Sequence, residues 1–469
     1  MTMPNMQAIF RSRFVGLDVQ IPLLDGTSTR YINLDNAAST PPLVSVRDSV
    51  NRFLDYYASV HRGTGFKSQL STQAYEHARA GALAFVNADP RSHVCIFGKN
   101  TTEAINKLAR RLDLQPDDVV LTTEMEHHSN DLPFRGVATV VYAGLLPDGR
   151  LDEADFDRKL DAHRKAIRLV AVTGASNVSG TLNPIHRLAE KAHAAGAMIL
   201  ADCAQLAPHR RIDVLPIEAP AHLDFVTFSA HKMYAPFGTG VLIGRRDVFE
   251  RGEPDMRGGG TVEIVTLDDV IWSDPPEREE AGSPNVVGAV ALAAAIRELE
   301  SIGMEAVAAH EQALTGYALE RLATVPGLRL LADPDPGRAS ERLGVIPFEI
   351  EGLSHFLVAA VLGYEFGIGV RNGCFCAHPY VLRLLGLSES QAAAVRTSIL
   401  AGDRRQMPGL VRASFGLYNT PEEIDLLAEA LTRIARGDYR GRYHQDPKSG
   451  EYHPEGFSPD FASYFDLSV

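Results

Sequence analysis

Lys232 directly follows His231 at the end of an apolar run, in the stretch "TFSAHKMYAPFGTGVLIG" (227–244). A buried ammonium is costly unless it is paired or neutralised. A strand-end lysine therefore either reaches solvent or is held in a cleft, where it can condense with an aldehyde to a Schiff base. About thirty residues earlier, "ILADCAQ" ends another apolar run on Asp202, with Gln205 one turn on. Asp202 could be a helix cap. It could equally pair with a ring nitrogen that must stay protonated, as in pyridoxal phosphate, where that pairing keeps the ring electron-withdrawing. "NTTEAINKLARRL" (100–112) opens with Asn100, Thr101 and Thr102 after a strand-like run. That is an ordinary capping pattern and also a ready phosphate site, because free N–H groups and the helix dipole point at the anion.

Two further clusters carry reactive groups. "TEMEHHSND" (123–131) sets His127 beside His128. Adjacent histidines on one loop rarely chelate one ion without further ligands, and no partner His/Asp cluster at metal spacing is evident, so no metal is expected. A flat imidazole stacked on an aromatic cofactor, placed to move a proton, is the alternative. "VRNGCFCAHP" (370–379) holds Cys374 and Cys376 with Arg371 and His378 close in sequence. The thiolate is the nucleophile, and neighbouring cations favour it. The competing reading is that both cysteines are small packing residues.

The elements that must position these groups follow from the pattern. From about residue 90 to 245, apolar runs such as "HVCIF", "DVVLTT", "AMILADCAQLA" and "DFVTFSAHK" alternate with helix-like periods such as "NPIHRLAEKAHAAG". Such alternation predicts a mostly parallel sheet covered by helices on both faces. Ligands of such sheets bind beyond the carboxyl ends of the strands, which is where Asp202, Lys232 and the Thr101–Thr102 pair fall. "NVVGAVALAAAIREL" (285–299) reads as a buried helix, too short and too charged at one end to span a bilayer. Beyond it the pattern changes to a smaller α+β unit, interrupted after the cysteine pair by an insertion-like stretch, "SESQAAAVRTSILAGDRRQMPG". The tail from about 437 is rich in Tyr, Pro, Gly and charge and reads as a loose extension whose aromatics could dock on a neighbour.

Composition narrows the function classes. The 469 residues carry 46 basic and 59 acidic side chains, a formal net charge of −13. That acidity opposes nucleic-acid binding. Four cysteines in a chain of this length are no disulfide scaffold, and a reducing cytoplasm fits best. The N-terminal stretch lacks the continuous apolar run of a signal peptide, so neither export nor membrane attachment is expected.

Taken together the motifs resemble fold-type I pyridoxal phosphate enzymes of the class V aminotransferase superfamily, in particular the cysteine desulfurase and selenocysteine lyase branch. The resemblance rests on "YINLDNAAST" (31–40), "SVHRGTGFKSQLST" (59–72), "TTEAIN" (101–106), "EMEHHSND" (124–131), "SNVSGTLNPI" (176–185), "ADCAQ" (201–205), "FSAHKMYAPFGTGVL" (228–242), "RGGGT" (257–261), "EEAGSPN" (279–285), "VRNGCFCAHP" (370–379) and "RASFGLYNT" (412–420), in the family's order. It implies a large domain with a seven-stranded, mostly parallel sheet and a smaller α+β domain. The implied divisions are an N-terminal segment, 1–30, packing with the small domain; a cofactor-binding domain, 31–285; a small domain, 286–436, with the cysteine loop; and an extension, 437–469.

The resemblance also implies roles. Lys232 would be the Schiff-base lysine and His127 would stack on the ring. Asp202 would pair with the ring nitrogen and Gln205 with the phenolic oxygen. Thr101, Thr102, Ser229 and His231 would hold the phosphate, and Ser283 would reach the partner's phosphate in a homodimer, where the family usually has Thr. Asn177 and Arg412 would bind the substrate carboxylate, with His61, Arg62 and Arg371 toward the entrance. Cys376 aligns with the nucleophile that takes sulfur from L-cysteine, leaving alanine and a persulfide for an acceptor protein. The bacterial sulfur-mobilising desulfurases carry two histidines where Cys374 and Phe375 stand, and Thr where Asn372 stands. "GCFC" instead resembles the loop of molybdenum-cofactor sulfurases. A selenocysteine lyase, an amino-acid lyase, an epimerase or an aminotransferase on the same fold are the alternatives, and a non-catalytic binding protein is disfavoured by Lys232, Asp202 and His127 together.

Overall fold

The apolar runs become the strands of one sheet. In a computed structural model, which describes residues 10–468, the large sheet comprises β1 (His93–Gly98), β2 (Val119–Thr123), β3 (Thr139–Ala143), β4 (Ile167–Thr173), β5 (Met198–Asp202), β6 (Phe225–Ser229) and β7 (Gly240–Arg245). Their spatial order is β1-β7-β6-β5-β4-β2-β3. Only β7 runs antiparallel to its neighbours, while β2 through β6 are parallel where they pair. β2 and β6 are buried at every position. This explains their continuous rather than alternating hydrophobicity, since helices cover both faces.

Four helices position the functional residues or brace the cores: α1 (Thr101–Arg111), α2 (Ile185–Ala194), α3 (Val286–Ile302) and α4 (His355–Phe366). α1 starts where Asn100 accepts the Glu103 N–H, which satisfies one of the orphan donors of the first turn. α2 stops just before Gly196, which takes φ 80°. α3, the apolar helix, packs its buried alanines, valines and leucines into the main core.

A second sheet has the order β8-β9-β11-β10, all antiparallel, from β8 (Leu328–Leu330), β9 (Val345–Ile350), β10 (Arg371–Gly373) and β11 (Leu410–Ser414). It has its own core, in which Ile346, Phe348, Val411 and Ala413 meet Leu427 and Leu431. The N-terminal segment touches both cores. Phe14 lies in the main core against Tyr234 and Tyr418, while Leu24 N–H donates to the Tyr364 carbonyl of α4 and Arg11 to Glu423 beside the second core. The first nine residues assigned to that segment lie outside the described residues.

The structure defines one stretch the sequence left open and corrects another. The insertion is an ordered helix, Glu389–Leu400, closed by a Ser388/Gln391 capping box. The tail is not loose over its first half: a hairpin of Tyr443–Gln445 and Tyr452–Pro454 forms. Glu365 accepts from Tyr443 and from the Arg440 and Gly441 N–H groups. A carboxylate on α4 holding two consecutive backbone donors is a local anchor that residue composition does not display.

Candidate active site

The carboxyl ends of β4, β5 and β6, the first turn of α1 and the loop after β10 surround one cleft of about 490 Å³. It is lined by Thr101, Thr102, His127, Asn177, Asp202, Gln205, Ser229, His231, Lys232, Arg371, Cys376 and Arg412. Twelve positions scattered through the sequence therefore share one cavity. His61 and Ser283 do not line it; both are exposed. His61 rests edge-on against Tyr75.

The floor is electrostatically tuned. Asp202 is buried, and its Oδ1 accepts the Ala204 N–H at 2.9 Å. Burial raises its carboxyl above the ordinary range, opposed by that N–H and by the charge of Lys232. An anion in this position is best satisfied by a cationic N–H partner. Burial brings Lys232 down to about 8, with the Asp202 charge working against the shift and Arg412 working with it. No hydrogen bond or ion pair holds its amine among the described residues. His127 is pushed down to about 3, mainly by burial and then by the charge of Lys232. Its ring is therefore neutral at pH 7, and its Nδ1 accepts the Ser129 N–H at 3.1 Å, which fixes the tautomer. Gln205 donates to the Ala37 carbonyl at 2.6 Å.

At one end a hydroxyl cluster meets the start of α1. Thr101 N–H donates to Ser229 Oγ at 2.9 Å, the Thr101 and Ser229 hydroxyls lie 2.7 Å apart, and Thr102 and Ser129 hydroxyls 2.7 Å apart. Gly240 is required here, because a Cβ would stand 2.3 Å from the Asn100 carbonyl carbon. Close backbone approach, hydroxyls and a helix N-terminus form the donor set a phosphate needs. His231, pushed down to about 4 by burial and by Lys232, borders this cluster as a neutral ring.

The opposite wall is the turn Cys374–Ala377. Ala377 N–H donates to the Cys374 carbonyl at 2.8 Å, and Phe375 and Cys376 have φ of 52° and 56°. Two consecutive non-glycine residues in the left-handed region cost about 1–2 kcal/mol each. Three contacts hold them there. Asn177 Nδ2 donates to the Phe375 carbonyl at 2.7 Å, His128 N–H donates to the Cys376 carbonyl at 2.7 Å, and the Arg412 guanidinium sits 4.8 Å from the Phe375 ring centroid. The turn exposes Cys376 and buries Cys374, whose thiol donates to the Pro408 carbonyl at 3.1 Å. Burial pushes Cys374 up to about 12, so it stays a thiol.

The expected carboxylate clamp is only partly open. Arg412 donates through Nη1 to the Asn177 carbonyl at 2.8 Å and through Nη2 to Asp35 at 2.9 Å, while its buried Nε has no partner among the described residues. Asp35 also pairs with Arg371 at 2.9 Å. The Asn177 amide serves the cysteine turn rather than an open substrate position. His378 does not supply a cation either: it stacks on His128 at 4.9 Å, and burial lowers it below the usual histidine range. Asp35 and Ser129 escaped the sequence reasoning. They lie within "YINLDNAAST" and "EMEHHSND", and the signal was a carboxylate or hydroxyl inside a motif already singled out for other residues.

The family model described as aminotransferase class-V matches residues 32–427. The chain belongs to that class-V aminotransferase family. A probable cysteine desulfurase of Streptomyces coelicolor is 38% identical over 437 residues, covering 90% of this chain and 96% of that protein. The cysteine desulfurase of Serratia proteamaculans is 37% identical, with 86% and 93% covered. Among solved structures, an apo cysteine desulfurase from Thermococcus onnurineus superposes with a TM-score of 0.75 at 32% identity, covering 87% of this chain and 95% of that one. A cysteine desulfurase from Escherichia coli gives 0.75 at 29% identity, with 92% and 99% covered. Class-V aminotransferases take pyridoxal phosphate, and this cleft fits it. The buried carboxylate at Asp202, the uncommitted amine of Lys232 and the glycine-bounded hydroxyl cluster match its ring nitrogen, aldehyde and phosphate. No helix is long and apolar enough to cross a membrane among the described residues.

Proposed function

We propose that this chain is a pyridoxal phosphate-dependent cysteine desulfurase that converts L-cysteine to L-alanine and leaves the sulfur as a persulfide on Cys376. The observation that carries this reading is the cleft itself: an exposed thiol, Cys376, lines the same cavity as Lys232, Asp202 and Arg412. When bound, the cofactor supplies an electron sink for carbanion chemistry at the substrate α carbon. The chain's residues do the rest. Asp202 would hold the proton on the ring nitrogen, and Gln205 would serve the phenolic oxygen. Thr101, Thr102, Ser229 and His231 would cradle the phosphate. Lys232 would hold the cofactor by its aldehyde carbon and, as a free amine, would take and return the proton at the substrate α carbon, a role suited to an amine brought down to about 8. The neutral His127 ring, which lines the cleft, would stack on the cofactor and exchange a proton there. Arg412, which lines the cleft, would bind the substrate carboxylate, with Arg371 nearer the mouth. The Cys376 thiolate would attack the substrate sulfur, an S–S bond forming as the substrate Cβ–S bond breaks; the electron pair of that bond stays with the carbon skeleton, which takes a proton on the way to alanine.

The same reading includes a homodimer in the cytoplasm. The exposed Ser283 would complete the phosphate site of a second copy, with His61 at the shared entrance, and C₂ pairing is the commonest symmetry. An acceptor protein then takes the persulfide sulfur. The proposed units are 31–285 for the cofactor and 286–436 for the cysteine turn, flanked by 1–30 and 437–469. The test is release of alanine and sulfide from L-cysteine with dithiothreitol. Stoichiometric alanine and sulfide support the assignment; turnover of L-cysteine to pyruvate, D-cysteine or a keto acid without alanine contradicts it.

A further inference from the structure

The insertion after the cysteine turn and the first half of the tail lie away from the cleft lining. The tail is also beyond residues 32–427, which the family model matches. The two stretches meet behind the turn that carries Cys376. From the insertion helix the chain returns to β11 through residues 401–409, which form neither helix nor strand. Such a segment has no ladder of its own, so contacts from outside must offset the cost of ordering it. The tail hairpin provides them on one side. Arg404 N–H donates to the Pro447 carbonyl at 2.8 Å, and the Gln445 amide donates to the Arg405 carbonyl at 3.1 Å and to the Gly450 carbonyl at 2.8 Å. Gly450 is buried at φ 82°, and a Cβ there would stand 2.6 Å from the Phe356 ring of α4 and 2.8 Å from the Arg404 carbonyl oxygen. Only glycine lets the hairpin close onto both.

On its other side the same segment meets the foot of the cysteine turn through three links. The Cys374 thiol donates to the Pro408 carbonyl at 3.1 Å. Leu410 pairs with Gly373, and a Cβ on Gly409 would stand 2.6 Å from the Gly373 Cα, so the two backbones touch. The buried His355 donates Nε2–H to the Met407 carbonyl at 2.9 Å, which leaves its Nδ1 to accept from the Asn372 amide at 3.5 Å. Asn372 lines the cleft. We propose that the tail hairpin is a positioning brace for the cysteine turn: it holds residues 404–408, and these hold Gly373, Cys374 and, through His355, Asn372. The base of the turn is then a fixed pivot from which its tip, Cys376, reaches. The catalytic consequence rests on the desulfurase reading. A nucleophile displaced from its line of attack loses rate, while substrate and cofactor, held on the other walls, stay bound. Removing the Cys374 thiol alone breaks one link of three, whereas freeing the hairpin loosens all of them.

The test labels the full-length, cofactor-loaded protein with N-ethylmaleimide and reads each cysteine by peptide mass spectrometry. In the parent Cys376 should label, while Cys374 stays protected, as do Cys95 and Cys203 in the main core. Gln445→Ala removes two donors without adding bulk, and Gly450→Val forces the hairpin off α4. Cys374 labelling should rise about tenfold in Gln445→Ala, the scale of local opening when one or two net hydrogen bonds are lost. It should rise further in Gly450→Val, with Cys95 and Cys203 still protected in both. The kcat for sulfide release should fall about fivefold in Gln445→Ala, with KM for L-cysteine and the yellow colour within about twofold of the parent. Gln445→Ala decides. Unchanged Cys374 labelling in it overturns the proposal, and so does an equal rise at Cys95 and Cys203, which marks general loosening. A rise at Cys374 with kcat unchanged also overturns it. A parent that forms no alanine or sulfide refutes the desulfurase reading instead, and the labelling then decides the brace by itself.

Discussion

The floor of the cleft is made by the ends of regular strands, whereas its opposite wall hangs on a four-residue turn. Asp202 and Ser229 terminate strands that are almost wholly buried, and Lys232 follows within one short turn. Their positions are fixed by sheet register and by the main core. The turn carrying Cys376 instead has two left-handed non-glycine residues, held by two backbone acceptors and one aromatic contact. The difference follows from what each must do. A cofactor has to be held in one orientation while bonds change on it. A thiol that takes sulfur must reach inward for the substrate and outward for an acceptor, and a strained turn with few anchors permits both. The same turn separates its two cysteines, keeping one protonated in the core and presenting the other to the cleft.

The largest effect should come from the floor. Lys232→Ala would remove the proposed attachment point and proton carrier together, so alanine formation should fall by about 10⁴-fold or more. Borohydride reduction of the wild type should fix a pyridoxyl group on Lys232 and on no other lysine. Peptide mapping that finds the label elsewhere breaks the assignment of the floor.

Cys376→Ala separates the two regions. The yellow colour and the spectral response to L-cysteine should persist, because the cofactor is held on the other wall. Sulfide formation should drop by about a hundredfold or more, the scale of removing a covalent nucleophile. Loss of colour in this variant would mean that the turn supports the cofactor and that the regions are not independent.

A pH series sharpens the account of the floor at about tenfold per unit. Only the neutral amine adds to an aldehyde, and Lys232 is brought down to about 8. Reconstitution of the cofactor-free protein should speed up as pH rises to about 8 and then level off. An ordinary lysine would keep accelerating toward about 10.4. Stability has a matching sign. Between those values the unfolded chain still binds a proton that the folded chain has released, so the cofactor-free protein should gain stability with rising pH relative to Lys232→Met. Denaturant titrations at pH 8 and 10 check this, and an unchanged difference counts against a depressed lysine.

Cys374→Ala should have the smallest effect. Its thiol is buried against the Pro408 carbonyl, so its removal should cost about 1 kcal/mol of stability. Steady-state sulfide release should remain within a few-fold of wild type. A loss as large as that of Cys376→Ala would show that sulfur must pass through Cys374.

The floor was legible in the sequence because its chemistry sits at predictable places. Apolar runs marked the strands, and the polar residues just after them, Asp202 and Lys232, proved to face one cavity. The wall was less legible. That Cys376 is presented and Cys374 buried depends on left-handed dihedrals at Phe375 and Cys376, for which neither residue type is a signal. Asp35 bridging Arg371 and Arg412 depends on a parallel pairing between residues more than three hundred positions apart, Ile32–Asn33 with Ile368–Gly369. The ordered tail depends on Glu365 in the same way.

The central claim is that the exposed cysteine of the strained turn, and not its buried neighbour, takes the sulfur. Holoenzyme treated with L-cysteine in the absence of reductant, then digested and fragmented by mass spectrometry, tests it directly. Both cysteines lie between Arg371 and Arg383, so fragment ions must separate them. The account predicts one added sulfur atom on Cys376, retained in Cys374→Ala and absent in Cys376→Ala. An added sulfur on Cys374, or none on either residue while alanine accumulates, would contradict it.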